Sequence, residues 1–332
     1  MFLLNRGVSE GRGPQFESAQ RLHQRALQST WSAFCMDIQI LAQKFYDYSD
    51  YIKGYAQPTI KRYRQMINYY TRFAGITEIE EVTLENIRKL FYYGRTERKW
   101  STNTFIGYHK SLIVFFRWCE KEGYMKFNPI DEIEVPKLEK RLPPKLTKQE
   151  AMRILEVVQN YPYINDFLRQ RNYAIFTTFI MAGLRRSELL HLKCVDVEID
   201  NLSLFVRQGK GNKDRVIPIN YKLAEVLKKY ARERKKLNKT CPEFFVSLYK
   251  NMGLQDNGLK LVVGQIVQAS GIKFSMHKLR HTFATLMLEG GCDIYSLSKM
   301  MGHNDIKTTT IYLAASVEHL REQIIKHPMN DL

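Results

Sequence analysis

The stretch from Asn128 to Lys145 sets the first limit on the fold. It holds Pro129 and Pro136, then Pro143-Pro144 inside the charged run Lys137 to Lys145, with no apolar period. Proline removes an amide donor and biases the residue before it away from helix, so no core element runs through such a tract. It reads as an extended linker over 129–146. A chain of 332 residues is long enough to carry a core on each side of it. The expected organisation is a leader over 1–35, an N-terminal helical domain over 36–128, the linker, and a second domain over 147–332.

The leader differs from the rest. Gly7, Gly11, Gly13 and Pro14 break any early element, and Gln, Ser and Arg dominate. A short helix around 17–27 fits the pattern, within what is expected to be a mobile arm. Met36 is an in-frame alternative start.

From Cys35 to Gly123 the apolar residues recur at helical spacing. Ile38, Leu41, Phe45 and Tyr48 make one stripe, and Ile60, Tyr63, Ile67, Tyr70 and Phe73 a second that stops at Gly75. Thr83 caps a third helix carrying Leu84, Ile87, Leu90 and Phe91. A fourth carries Phe105, Tyr108, Leu112, Phe115, Phe116 and Cys119. Four helices with aromatic stripes predict a small bundle, with the aromatics in its core. The opposite faces hold Lys61, Arg62, Arg64, Arg88, Arg95, Arg98, Lys99 and Lys110. Beside Ser101, Thr102 and Asn103, that density suits phosphate contacts as well as it suits a solvated face.

In the second domain Thr147-Lys148-Gln149-Glu150 is a capping box opening a helix over 148–160. A helix over 171–182 ends at Gly183. Val195–Ile199, Leu202–Arg207 and Arg215–Ile219, separated by turn residues, predict a three-stranded meander. Helices are expected again at 221–236, 258–270, 277–289, 293–301, 306–313 and 317–327. The fold class is therefore mainly α with a small antiparallel β meander.

The formal charge of +17 points to a polyanionic partner, nucleic acid first and an anionic membrane surface second. Cys35, Cys119, Cys194, Cys241 and Cys292 show no CxxC or Cys/His ligand spacing, which fits reduced thiols and gives no zinc motif. No apolar run approaches the length of a membrane span, about 18 residues. The expectation is a soluble cytoplasmic protein.

Three clusters carry chemical potential. In Gly183-Leu184-Arg185-Arg186-Ser187-Glu188-Leu189 two arginines lie where one helix stops and another begins. A guanidinium there can fork onto a phosphate, and it equally fits a surface ion pair with Glu188. Gly209-Lys210-Gly211-Asn212-Lys213 puts a lysine between glycines at a hairpin tip; it lacks P-loop spacing and also fits an ordinary charged turn. His277-Lys278-Leu279-Arg280-His281 opens a helix, followed by Met301-Gly302-His303 and Tyr312. His277 and His281 at i and i+4 raise a metal site, but no HExxH glutamate and no carboxylate set accompany them.

These pieces, with Thr282-Phe283-Ala284-Thr285 and Thr308-Thr309, stand in an order and at separations that resemble the tyrosine recombinase (phage integrase) family, most closely its short Xer-like and transposon-encoded members. The resemblance covers roughly residues 36–327. It implies that Tyr312 attacks the scissile phosphate, forming a 3′-phosphotyrosyl bond and releasing a 5′-hydroxyl. It implies Arg185 and Arg280 on the non-bridging oxygens, His303 as a further donor, His277 as base or proton relay, and Lys210 as acid for the leaving oxygen. Glu188 and His281 stand behind them as supporting groups. Arg186 and Lys213 are rivals to Arg185 and Lys210; the family pattern places the arginine directly after Gly-Leu and the lysine between the glycines. A phenol of pKa about 10 needs a basic neighbour or a positive field to attack at neutral pH.

The resemblance further implies no metal or nucleotide cofactor, because the phosphotyrosyl bond conserves the energy of the broken phosphodiester. It implies double-stranded DNA at two recombination sites, a clamp of the two domains around it, and a tetramer, with a partner recombinase or accessory protein left open. The segment from Val317 to Lys326 docks either on its own domain or on a neighbouring protomer. Leu313-Ala314-Ala315-Ser316 departs from the Thr-His pair of many Xer-like members. Competing readings are a type IB topoisomerase-like relaxing enzyme, a non-catalytic DNA-binding protein and a metal-dependent nuclease.

Overall fold

A computed structural model describes residues 36–138, 144–207, 214–303, 309, 310 and 312. The leader, the Lys210 hairpin tip, most of the expected 306–313 helix and all of the 317–327 helix lie outside the described residues. The chain divides into two compact units, Met1–Lys140 and Arg141–Leu332.

In the first unit the predicted stripes become helices α1 (Ile38–Asp47), α2 (Gln57–Ala74), α3 (Leu84–Thr96) and α4 (Thr102–Lys121). Each start has a local cause. The Asp37 carboxylate accepts from the amides of Gln39 and Ile40, the Thr83 hydroxyl from Asn86, and the Ser101 hydroxyl from Thr104. Pro58 sits in the first turn of α2, where no amide is needed, and Gly75 ends it in the left-handed region. Ile38, Leu41, Phe45, Ile67, Tyr70, Leu90, Leu112, Phe115 and Phe116 are almost fully buried. Phe45 meets Phe115 and Trp118 with ring centroids 5.4 and 5.7 Å apart. The aromatics are thus core, while the eight lysines and arginines named above are all exposed.

Pro129 and Ile130, at the start of the expected linker, form a 3-10 turn buried in this core. At the other end Leu146 is buried in the core of the second unit, its amide donating to the Thr282 hydroxyl. The proline-rich tract is therefore anchored at both ends by apolar residues that its composition concealed.

The second unit begins with α5 (Lys148–Asn160), opened by the predicted capping box, and α6 (Asp166–Ala182). Helix α6 starts five residues earlier than expected, because the Asn165 side chain caps it by accepting from Leu168 N. After it, α7 (Arg186–His191) leads to the sheet, and α8 (Tyr221–Lys236), α9 (Asp256–Ser270), α10 (Met276–Glu289) and α11 (Ile294–Met301) follow; α6 is the central helix and packs against α5, α8 and α10. Phe176, Phe179, Ile175 and Ala174 of α6 are fully buried.

The meander is three antiparallel strands in order: β1 (Val197–Glu198), β2 (Ser203–Val206) and β3 (Arg215–Pro218). Strand β1 is shorter than predicted. Cys194–Asp196 form a 3-10 turn instead, held by the buried Asp196 carboxylate, which accepts from Lys193 N and from Arg207 Nε. The register pairs Val206 with Arg215 and Leu204 with Ile217, so the Arg215 side chain emerges on the same face as buried Ile217. Among the described residues, no helix is long and apolar enough to cross a membrane.

Candidate active site

Helix α6 ends at Gly183, whose φ of 60° is left-handed. A Cβ there would lie 2.2 Å from the Phe283 ring, so glycine lets the end of α6 close onto α10. Leu184 is buried, and Arg185 stands extended ahead of α7. Its backbone amide and its Nη1 both donate to the Glu188 carboxylate, at 2.7 and 2.6 Å. Its Nη2 donates to Gly302 O at 2.9 Å.

Helix α10, capped by Ser275, carries His277, Arg280 and His281 within its first two turns. Leu279, Thr282 and Phe283 are buried, and so is Arg280, at 3% exposure. A guanidinium this deep needs acceptors, and it has them. Nη1 donates to Gly183 O and Nη2 to Met301 O. Burial first, then the neighbouring Arg185 charge, lowers its pKa to about 10, which leaves it charged at neutral pH.

Helix α11 ends at Met301, and Gly302, at φ 62°, turns the chain into His303. The Nε2 of His303 lies 3.3 Å from Arg280 Nη2, and its Nδ1 lies 2.8 Å from the Thr309 hydroxyl. A guanidinium only donates, so Nε2 accepts in this arrangement and the ring proton sits on Nδ1.

Tyr312 is 2% exposed, and its hydroxyl lies 2.6 Å from His281 Nδ1. Burial raises the phenol pKa to about 12 against the opposing charge of Arg280. Burial, then His277 and then Arg280, holds His281 down at about 4. The phenol is therefore the donor and a neutral imidazole the acceptor. The His277 ring meets His281 edge-on, with centroids 4.2 Å apart, and its own pKa is lowered by burial, Arg280 and Arg185. Sequence reasoning placed His277 as the base and His281 behind it; the structure puts His281 on the tyrosine. Helical spacing alone does not distinguish two histidines one turn apart.

Glu188, 4% exposed at its side chain, is the carboxylate beneath this group. Burial alone would raise its pKa; the hydrogen bonds and charge of Arg215, joined by those of Arg185, hold it down at about 2. Arg215 was missed. Its Nη1 and Nη2 donate to the two Glu188 oxygens at 2.8 Å each, and its Nε donates to Met300 O at 2.8 Å. A signal was present: strand alternation puts residue 215 on the inward face with Ile217, where an arginine demands a buried partner.

The structure thus brings Arg185, Glu188, Arg280, His281, His303 and Tyr312 into one cluster, with His277 at its edge. Arg186 points elsewhere, paired with Asp256 at 2.7 Å. Lys210 and its rival Lys213 lie outside the described residues. Among those described, no group of His, Cys, Asp and Glu is placed to hold a metal ion. Two guanidiniums beside a phenol with an acceptor on its proton can neutralise an oxyanion and support attack by the phenolic oxygen.

Residues 144–319 match the model of the phage integrase family, and residues 41–125 match that of the phage integrase N-terminal SAM-like domain. The tyrosine recombinase XerC of Oceanobacillus iheyensis is 30% identical over 301 residues, spanning 88% of this chain and 97% of its own. The tyrosine recombinase XerA of Pyrococcus horikoshii is 36% identical over 211 residues, 62% of this chain and 70% of its own. Among solved structures, the Tn1549 transposon integrase in complex with circular intermediate DNA superposes with a TM-score of 0.68 at 19% identity, covering 87% of this chain and 99% of that one. The XerH recombinase bound to palindromic difH substrate gives 0.66 at 20% identity, covering 86% and 83%. At such identities the two structures speak for the fold alone.

Proposed function

The chain belongs to the phage integrase family, as a tyrosine recombinase, and from that premise we propose that it cuts and rejoins double-stranded DNA at specific sites through a 3′-phosphotyrosyl bond to Tyr312. The observation that carries this reading is the contact between the Tyr312 hydroxyl and His281 Nδ1, one residue from the buried Arg280. Tyr230 also donates, but to the Phe244 carbonyl, whereas the Tyr312 phenol meets an imidazole, a group that can take up the proton, with the Arg280 guanidinium nearby.

In this reading the phenolic oxygen attacks phosphorus, the bond to the 5′-oxygen breaks, and the phenol proton passes to the His281–His277 pair. Lys210 gives the leaving oxygen its proton. Arg185 and Arg280 neutralise the charge growing on the non-bridging oxygens. His303 joins them by donating from Nε2, which requires a proton there in addition to the one on Nδ1. Rejoining is the reverse, with a 5′-hydroxyl attacking the phosphotyrosine. No cofactor enters the bond accounting.

The net charge of +17 and the exposed basic faces of the first unit supply sequence-independent affinity that weakens with salt. The reading includes a tetramer joining two DNA sites, acting in dimer resolution or in integration and excision of a mobile element, alone or with an accessory protein.

The test is covalent capture. A duplex recovered from a random library by binding to the protein, nicked near the cleavage position, should trap a protein–DNA adduct with wild type and none with Tyr312→Phe, which still binds. An adduct that persists in Tyr312→Phe would sink the assignment. Relaxation of any supercoiled plasmid without sequence preference would favour the topoisomerase-like alternative.

A further inference from the structure

The three arginines of the site share an arrangement that none shows singly. Arg215 Nε donates to Met300 O, Arg280 Nη2 to Met301 O and Arg185 Nη2 to Gly302 O, at 2.8, 2.6 and 2.9 Å. They take three successive carbonyls at the C-terminal end of α11, where the helix presents unsatisfied acceptors and partial negative charge. His303 is the next residue. A Cβ at Gly302 would lie 3.0 Å from Arg215 Cδ and Nη1, so the chain turns into His303 directly against this guanidinium.

Arg215 is also the firmest partner of Glu188. It holds both carboxylate oxygens, and its own side chain is 9% exposed. All three of its nitrogens are engaged by protein acceptors, and it has no described contact with His281 or Tyr312.

We infer that Arg215 is a positioning residue: it fixes Glu188, and through Glu188 the Arg185 guanidinium, while holding the end of α11 from which His303 departs. This rests on the reading of Arg185, Arg280 and His303 as the groups facing the scissile phosphate. Three guanidiniums and one carboxylate leave a net of two positive charges in the cluster. Removing Arg215 leaves one, and leaves Glu188 with Arg185 at 2.6 Å as its nearest partner and Arg280 farther off at 3.9 Å. The carboxylate then draws Arg185 inward, away from a phosphate. The end of α11 loses the first of its three donors.

The experiment uses the full chain on the nicked duplex recovered by binding, with single-turnover adduct formation, DNA affinity and denaturation midpoint measured in parallel. Arg215→Gln should slow adduct formation about 10–100-fold, the range for residues that orient others, while affinity stays within about threefold. Adding Glu188→Gln to Arg215→Gln should recover several-fold of the lost rate, because it removes the stranded carboxylate. Arg215→Lys keeps the charge but loses the two-point grip; it should lose about tenfold, and it remains readable if Arg215→Gln does not fold.

A Tyr312-dependent wild-type adduct with either folded variant within twofold of it overturns the inference alone. So does a rate loss that Glu188→Gln leaves unrelieved and that follows the drop in denaturation midpoint. An adduct absent from wild type, or present in Tyr312→Phe, overturns the reading of the site and this inference with it.

Discussion

Nδ1 of His281 and the hydroxyl of Tyr312 are 2.6 Å apart. With the phenol raised to about 12 and the imidazole held at about 4, the proton stays on oxygen in this state. In the proposed reaction this contact orients the attacking phenol without ionising it. A phosphodiester bound there, as proposed, would bring negative charge next to His281 and make the imidazole a better proton acceptor.

His281→Phe keeps a ring in place and removes the acceptor. Adduct formation should fall by about 100-fold, the lower end for loss of an acid–base group, with DNA affinity unchanged. Quench-flow trapping of the adduct on the nicked duplex measures it. A rate within twofold of wild type would show that the contact is incidental to attack.

The same shifts make stability fall on the acid side. Below pH 6.5 the unfolded chain protonates His281, whereas the folded chain resists until about pH 4, so this contribution is lost across that window. Glu188 follows: its folded pKa is depressed to about 2, so its contribution is present above pH 4.5 and declines as pH falls toward 2. Urea midpoints at pH 7, 5.5 and 4.5 should decline for wild type, and less steeply for His281→Phe. Parallel lines for the two proteins would place the acid sensitivity elsewhere.

Most of this architecture was legible because helices announce themselves through period and caps. Thr83 and the Thr147–Glu150 box mark starts, and the aromatic stripes mark buried faces. What was hidden has a common physical cause: polar groups that act inside the core. Asp196 bends the start of the meander, Arg215 enters the site from a strand, and Arg280 is buried among the apolar residues of its helix. Their partners lie far away in sequence, at Arg207, Glu188, Gly183 and Met301, so no local pattern reveals them. The two histidines of α10 illustrate the same limit. Either fits a base by spacing, and only the fold shows which one meets Tyr312.

Gly183→Ala tests how the arginine cluster is assembled. The substitution forces a side chain into left-handed backbone and into the Phe283 ring, at 2.2 Å before relaxation. Backbone strain and overpacking together should cost about 2–4 kcal/mol. Because Gly183 O is an acceptor for Arg280, adduct formation should fall as well. In a Phe283→Leu background the same substitution should cost less than in wild type. Equal costs in the two backgrounds, by urea denaturation, would remove the ring contact as the reason for glycine.

Arg185 and Arg186 are adjacent, and the structure predicts opposite consequences for losing them. Arg186 pairs with Asp256 at the surface, with the two side chains 47% and 38% exposed, and such pairs contribute about 0–1 kcal/mol. Arg186→Ala should leave adduct formation within about threefold of wild type, allowing for a lost contact to the DNA backbone. Arg185 touches Glu188 and Gly302 O, and its side chain is 20% exposed, so it is not sealed off from a phosphate. Arg185→Ala should cut adduct formation by about 100–1000-fold, as expected for a group that stabilises transition-state charge. If the rates of the two alanine variants were exchanged, the arginine directly after Gly183-Leu184 would not be the one that meets the phosphate.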